Sequence, residues 1–284
     1  MQISENIHLL KHPFKVVFGP DKFLERFVYS MIIFDDTITL VDCGTRDSVS
    51  RIVDYITQQR RAPEDIQTLI LSHAHPDHMG CAAALKRKYG CKVMAHPNEK
   101  AWIEDIDTQI RERPVPGFKL LTDESVIVDE TLEDGQRIGA GKNISLTVMH
   151  APGHSAGQIC LLFNEDRILF TADAVPLPSD IPNYDNYGDT MATLERIESS
   201  NDCDTLLSSW ADPLTTPKDI QQFIHNGKSY LTQIDTAVQK HYHSPEFATE
   251  PAPLENCTKV ITTLGLPPLF INPITDRAFR SHLK

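Results

Sequence analysis

The segment 73–78, whose sequence is HAHPDH, holds the side chains of this chain that are best suited to chemistry. Three imidazoles and one carboxylate fall within six residues, after a short apolar strand and before a helix. Two imidazoles two residues apart can bind one ion, while Asp77 and His78 can turn towards a second position. The spacing therefore predicts a loop that holds one or two divalent metal ions.

Two later segments contain further candidate ligands. His154 lies in the turn APGHSAG at 151–157, where Gly153 and Gly157 allow a close approach of the backbone. Asp173 ends the segment LFTAD and follows a predicted strand. Taken alone, Asp173 is better explained as a turn or cap residue, so only its place after a strand and behind the other segments favours a ligand.

Composition limits the function. The 284 residues carry 27 Lys and Arg against 39 Asp and Glu, a net charge of −12, which disfavours nucleic acid and anionic lipid as partners. No apolar run is long enough for a membrane span, and the first residues lack the apolar centre of a secretion signal. The six cysteines are scattered and are expected to be free thiols. We expect a cytoplasmic protein with a small-molecule substrate.

Hydrophobic patterns place the candidate ligands on a mixed α/β (α+β) framework. Strands are predicted at residues 27–34, 37–42, 68–71, 92–95, 126–128, 144–149, 159–163, 168–170 and 205–208. Helices are predicted at residues 49–56, 80–89, 97–110 and 191–199. Two halves rich in strands, each with flanking helices, favour two sheets packed face to face with helices outside.

The character of the chain changes after Pro213. Apolar stripes of helical period occur from 216 onwards, interrupted by a Pro-rich stretch at 244–253. We therefore predict a domain at 1–215 that binds the metal, followed by a small all-helical extension at 216–284. A homodimer formed through this extension is a further hypothesis.

Four segments in order resemble the metallo-β-lactamase-fold hydrolases, in particular the glyoxalase II and lactonase branches. The hexapeptide matches the signature HxHxDH of that family, and LVDCG at 40–44 is similar to its Asp-Cys/Thr-Gly turn. The segment 151–157 resembles its PGHTxG motif, and 169–173 resembles the strand that ends in a metal-bridging Asp. The resemblance covers about residues 15–213 and implies the αββα sandwich fold.

The resemblance also implies a ligand set. The first metal would be bound by His73, His75 and His154, the second by Asp77 and His78, with Asp173 as a bridge. The family's last histidine is missing, because Trp210 stands in its place and an indole N–H cannot bind zinc.

Several replacements for this missing ligand stay open. Asp212 is the candidate sixth ligand, the second site could instead be weak or empty, and His241 with His243 would serve only if the extension folded back.

Hydrolysis by a metal-bound water is the leading functional hypothesis. Such a centre, with zinc expected and iron or manganese as alternatives, would attack an ester, thioester or lactone, and Asp77 would handle the proton of the water. No GxSxG motif supports a serine nucleophile. The loop 173–190 could line the substrate pocket.

Two other classes remain. The first is an oxidoreductase similar to the family's persulfide dioxygenases, which use one iron. The second is a binding or regulatory protein with a vestigial site.

Overall fold

The computed structural model describes residues 1–19, 22–122, 124–200, 202–242 and 254–283. Strands β1–β11 are Ile7–Gly19, Lys22–Phe34, Ile38–Val41, Ile66–Ile70, Lys92–Ala95, Glu130–Thr131, Arg137–Gly139, Ser145–His150, Ile159–Phe163, Ile168–Phe170 and Thr205–Leu207. Helices α1–α10 are Val49–Gln58, Pro76–Met79, Ala82–Tyr89, Lys100–Glu104, Ile106–Glu112, Phe118–Leu121, Tyr187–Ser199, Pro217–Tyr242, Glu255–Thr263 and Pro273–Arg280. Single turns of 3₁₀ helix lie at Arg46–Ser48, Pro63–Asp65, Pro97–Glu99, Pro268–Phe270 and Ser281–Leu283.

The strands form two sheets. The first has the order β1-β2-β3-β4-β5-β6, in which β1 to β3 are antiparallel and β3 to β6 are parallel. The second has the order β11-β10-β9-β8-β7, antiparallel except for the parallel pair β10 and β11. Three strands precede the candidate ligands: β4 belongs to the first sheet, and β8 and β10 belong to the second.

Alternation of side chains along β2 explains why the sheets pack face to face. Met31 and Ile33 lie in the core between the sheets, with Phe163 and Phe170 of the second sheet. Ile32, between them in sequence, points to the opposite face and joins a core shared with α1 and α3. Helices α7 to α10 cover the outer face of the second sheet. The predicted αββα sandwich is confirmed.

The C-terminal region is helical, as predicted. Its apolar stripes are buried, and Ile224 and Leu231 of α8 share one core with Leu169 and Leu206 of the second sheet. The boundary between residues 215 and 216 stays a prediction. The Pro-rich stretch at 244–253 lies outside the described residues.

Most predicted elements are present, and β5, β9 and β10 begin and end where predicted. The strand predicted at 126–128 is wrong, although Val126 and Val128 are buried. Their N–H groups bond to Ile103 O and to the Glu104 carboxylate of α4 rather than to a neighbouring strand. The apolar pattern identified the burial but not the hydrogen-bond partner.

Two further differences have local causes. The helix predicted at 97–110 is broken at Asp105, whose carboxylate accepts the N–H groups of Asp107 and Thr108 and so caps α5. Strand β1 was not predicted, because it carries polar residues such as Lys11 and Lys15 among its apolar ones. Its 13 residues form a long hairpin with β2.

In the part of the chain that the structure describes, no helix combines the length and the apolar character needed to cross a bilayer. The expected cytoplasmic location and homodimer stay predictions.

Candidate metal centre

The HAHPDH segment lies beyond the end of β4. His73, His75 and His78 are each at most 2% exposed. His75 is extended (φ −65°, ψ 147°) because Pro76 follows it and begins α2. The short helix then returns His78 towards His73, so that their ring centroids lie 4.1 Å apart.

His154 and Asp173 lie beyond the ends of β8 and β10, and both are buried. The two glycines beside His154 are needed there. Gly153 has a φ of 131°, and a Cβ on it would lie 2.4 Å from Thr190 Oγ1. A Cβ on Gly157 would lie 2.8 Å from His96 Nδ1. The close backbone approach predicted for this turn is confirmed.

The structure brings these side chains into two groups that share His73. One group is His73, His75 and His154, and the other is His73, His78 and Asp173, with the ligand atoms of each group within 4.8 Å of one another. The carboxylate of Asp173 joins the groups, since it lies 3.2 Å from His78 Nε2 and 3.3 Å from His154 Nε2. This is the arrangement expected of neighbouring metal positions bridged by one carboxylate.

Several residues of this cluster carry buried atoms without a hydrogen-bond partner. They are the Nε2 atoms of His73, His75 and His78 and the Oδ1 atom of Asp173, of which the last two face each other at 3.2 Å. Leaving buried polar atoms unpaired costs about 1–3 kcal/mol each, so a ligand is expected to satisfy them. Imidazole nitrogens with a carboxylate oxygen suit zinc, iron or manganese. The residues present therefore fit a divalent metal.

Hydrogen bonds behind the cluster fix which nitrogen faces inwards in three of the four rings, those of His73, His78 and His154. His78 Nδ1 donates to Asp42 Oδ2 at 2.9 Å, and His73 Nδ1 contacts Ser72 Oγ at 2.9 Å. Ser72 Oγ itself donates to Asp42 Oδ2, so it accepts from His73. His154 Nδ1 donates to the backbone oxygen of Asn183 at 2.6 Å. Such outer bonds orient metal-binding histidines.

Asp42 occupies a strained position for this purpose. Its φ of 58° lies in the left-handed region, and its side chain is fully buried. Oδ1 accepts the N–H of Ser72, and Oδ2 accepts the Ser72 hydroxyl and the His78 ring. The DCG turn therefore positions His78.

Glu99 is a buried carboxylate that sequence reasoning missed. It accepts the N–H of Ala74 at 2.8 Å, the hydroxyl of Ser155 at 2.7 Å and the N–H of Gly157 at 2.6 Å. Ala74 lies between two ligand histidines, and Ser155 follows His154. Glu99 thus ties together the two loops that form the first group, a role that only the contacts between distant segments reveal.

Burial and charge shift the pKa values in opposite directions within the cluster. Burial lowers the pKa of His73 and His75 well below the usual value, and that of His154 to about 4. Burial also acts on His78, but the carboxylates of Asp173, Asp42 and Asp77 outweigh it and raise its pKa. Most of the cluster is therefore neutral imidazole near pH 7, the form that binds metals.

Asp77 lies at the edge of the cluster rather than within either group. Its Oδ2 atom is 3.8 Å from His78 Nε2, and its side chain is 15% exposed. Burial raises the pKa of Asp77, an effect that His78 opposes. Asp77 lines a cavity that His75 and Trp210 also line, so it can meet a molecule that enters from solvent.

Trp210 stands beside the second group. Its ring centroid is 6.4 Å from that of His78, and the guanidinium of Arg26 lies over the indole at 4.4 Å. Asp212 belongs to neither group; it is exposed and accepts a hydrogen bond from Tyr29. The structure therefore does not bring the predicted sixth ligand to the centre.

The alternative ligands in the extension are not brought to the centre either. His241 is near the end of α8, where its Nε2 contacts Thr263 Oγ1 at 2.8 Å. His243 lies outside the described residues.

Arg113 is a second residue that sequence reasoning missed. It follows α5, is 2% exposed, and lines the same cavity as His75 and Asp77. Asn183, whose side chain accepts a hydrogen bond from Arg113, also holds His154 through its backbone. No sequence motif marks either residue, because an isolated arginine after a helix is ordinarily exposed.

The profile of the metallo-beta-lactamase superfamily matches residues 24–222, which is more than half of the chain. The chain belongs to this superfamily. The predicted resemblance is thereby confirmed, and it extends beyond β11 into the first residues of α8.

Two relatives carry named activities. A hydroxyacylglutathione hydrolase of Rhodopseudomonas palustris is 33% identical over 107 residues, which cover 38% of this chain and 33% of that protein. The acyl-coenzyme A thioesterase MBLAC2 of Homo sapiens is 32% identical over 162 residues, or 50% of this chain and 55% of that protein. The chain thus matches only part of the length of these curated relatives.

Solved structures show the same fold. Metallo-beta-lactamase family protein TTHA1429 from Thermus thermophilus has a TM-score of 0.69 at 17% identity, covering 98% of this chain and 93% of that one. The metallo-beta-lactamase GOB-18 from Elizabethkingia meningoseptica has a TM-score of 0.60 at 24% identity, covering 79% and 93%. At these identities the similarity concerns the fold alone.

Proposed function

We propose that this protein is a metal-dependent hydrolase of a small or medium-sized acyl compound, with a thioester as the leading substrate and an ester or lactone as further candidates. The observation that carries the proposal is the pair of ligand groups that share His73, with buried atoms lacking partners on four side chains. A structural role would leave no reason for these atoms to converge unpaired.

The roles follow the ligand sets that the resemblance to the superfamily implies. His73, His75 and His154 would hold one ion, and His78, Asp77 and Asp173 a second, with zinc the expected metal and iron or manganese as alternatives. A divalent metal in such a site lowers the pKa of a water molecule and polarises a carbonyl group. Asp77, at the cavity edge, would orient the attacking water and accept its proton.

The names of the relatives support the choice of thioesters. One is a hydrolase of hydroxyacylglutathione and the other a thioesterase of acyl-coenzyme A. Acyl derivatives of glutathione and coenzyme A are both thioesters. The leaving group of a thioester is a thiolate, which can depart without first receiving a proton from the protein. One carboxylate, which accepts the proton of the attacking water, therefore suffices.

One observation favours a second candidate, an iron-dependent oxidoreductase. Trp210 stands beside His78 where a further imidazole would complete the second position. A protein with one complete position could hold a single iron.

The experiment compares the protein loaded separately with zinc, iron and manganese. We expect release of thiol from S-acetyl-N-acetylcysteamine, and loss of both bound metal and activity in His75→Ala. Oxygen consumption with glutathione persulfide by the iron form, without thioester hydrolysis by any form, would overturn the proposal in favour of the oxidoreductase.

A second variant separates metal binding from proton handling. Asp77→Asn should keep the first metal and lose about two to four decades of rate, the usual contribution of a general base. Asp47→Asn is the matched control, because Asp47 is an exposed aspartate that does not line the cavity. An unchanged rate in Asp77→Asn would remove Asp77 from the chemical step.

A further inference from the structure

The guanidinium of Arg113 has an unusual set of partners for a buried charge. Its hydrogen bond goes to the neutral side chain of Asn183, and its Nε atom has no hydrogen-bond partner. The nearest carboxylate that forms an ion pair with it is Asp185, at 3.6 Å. An arginine can donate five hydrogen bonds and stays charged at any ordinary pH. Arg113 is thus buried with one donor, Nε, that lies 3.6 Å from Asp185 and makes no hydrogen bond.

The partner carboxylate is already used by another arginine. Arg277 of α10 donates two hydrogen bonds of 2.9 Å to the two oxygens of Asp185. Burial lowers the pKa of Arg113, Asp185 opposes this, and Arg277 lowers that pKa further. Two guanidinium groups therefore share the Asp185 carboxylate, and Asp77, which lines the same cavity, also attracts the charge of Arg113.

The other cation of the cavity is neutralised, unlike Arg113. Arg26 donates to both oxygens of Asp180, at 2.7 and 2.8 Å, and stacks on Trp210. Among the described residues that line this cavity, Arg113 is thus the cation without a carboxylate of its own. It lines the same cavity as His75 and Asp77.

We propose that Arg113 binds a carboxylate carried by the acyl part of the substrate, close to the carbonyl that is cleaved. This inference rests on the proposed hydrolase function and adds a substrate class, acyl groups with an acidic end. A carboxylate would satisfy donors of Arg113 in the planar geometry that guanidinium groups favour. A neutral acyl group of the same size would leave the buried charge unpaired, which disfavours its binding.

The remaining wall is apolar and accommodates the carbon chain of such a substrate. It is formed by side chains from the β1–β2 hairpin, the segment after α5 and α10: Phe14, Val16, Leu24, Val115 and Ile274. The C-terminal helices thus contribute both to this wall and, through Arg277, to the charge at Arg113.

The test uses two thioesters of equal size, S-succinyl-N-acetylcysteamine and its neutral amide, S-succinamoyl-N-acetylcysteamine. We expect the wild-type protein to prefer the succinyl compound at least tenfold in kcat/KM, mainly through KM. Arg113→Gln should abolish this preference, since only the anion needs the guanidinium.

Arg111→Gln is the matched control, because Arg111 is an exposed arginine in the last turn of α5, two residues before Arg113. It should keep the full preference. A wild-type protein that does not prefer the succinyl compound would overturn the inference. This result needs no variant, so the test remains decisive even if Arg113→Gln does not fold. A preference that persists in a folded Arg113→Gln would overturn it as well.

Failure of the hydrolase function is a separate outcome. If neither thioester is cleaved, the inference is measured by calorimetry with 4-oxopentanoate and its neutral analogue hexane-2,5-dione. The wild type should bind 4-oxopentanoate at least tenfold more tightly than Arg113→Gln does, and the dione equally in both. Equal affinity of the two proteins for 4-oxopentanoate would place the carboxylate at the metal and refute the role of Arg113.

Discussion

Replacing Asp42 by asparagine should weaken metal binding by about ten- to a hundredfold, the range found when a bond behind a metal ligand is lost. The substitution keeps the size of the side chain. It also keeps the backbone, because asparagine tolerates the left-handed φ of 58° at this position. The effect on metal binding should therefore arise from hydrogen bonding and charge.

The magnitude follows from one hydrogen bond. Asp42 Oδ2 accepts the proton on His78 Nδ1 at 2.9 Å, which leaves His78 Nε2 free to face Asp173. If the oxygen of the introduced amide still accepted the N–H of Ser72, the NH₂ group of that amide would face His78 Nδ1. Two donors cannot bond to each other, so the ring proton of His78 would move to Nε2. Hydrogen bonds to charged groups contribute about 1.5–3 kcal/mol, which corresponds to one to two decades of affinity.

The assay is a zinc titration of metal-free protein against a chelating indicator. Asp129→Asn is the control, since Asp129 also accepts a backbone N–H and a charged donor but contacts no candidate ligand. Unchanged zinc affinity in Asp42→Asn, in a protein whose circular dichroism matches the wild type, would refute the argument that Asp42 sets the proton position on His78.

Further predictions address other features. Trp210→His should add an imidazole beside His78 and make a second ion harder to remove by chelation; an unchanged metal count would contradict this placement. Burial lowers the pKa of His12 to about 3, so protons favour the unfolded chain between pH 6.5 and 3. As the pH falls through this range, His12 alone should lower the unfolding free energy by up to about 1.4 kcal/mol per unit, so the slope should be smaller in His12→Asn; equal slopes in urea titrations would count against it. Deleting residues 216–284 should cause aggregation, because the loss of Leu231 and its apolar neighbours uncovers the part of the core that they shield. A monodisperse truncated protein in light scattering would instead show that residues 1–215 form an independent domain.

The sequence alone determined the identity and order of the ligand-bearing segments. HAHPDH is local, because its spacing and the proline at the start of α2 bring three imidazoles together within one loop. Strands β9 and β10 and the glycine that ends α3 were equally predictable, since side-chain alternation and a left-handed cap depend on near neighbours. The resemblance to one superfamily then supplied the fold.

Tertiary structure decided how the segments meet. His154 and Asp173 contact the loop only because the two sheets pack face to face. The roles of Glu99 and Arg113 depend on contacts with residues far away in sequence, for which local periodicity contains no information. Burial sets the energy of such polar groups, because a lost hydrogen bond or an unpaired charge is costly only away from water. The sequence therefore indicated which side chains could bind a metal. Packing determined which of them are desolvated, held in place by hydrogen bonds and left with unpaired atoms that can bind it.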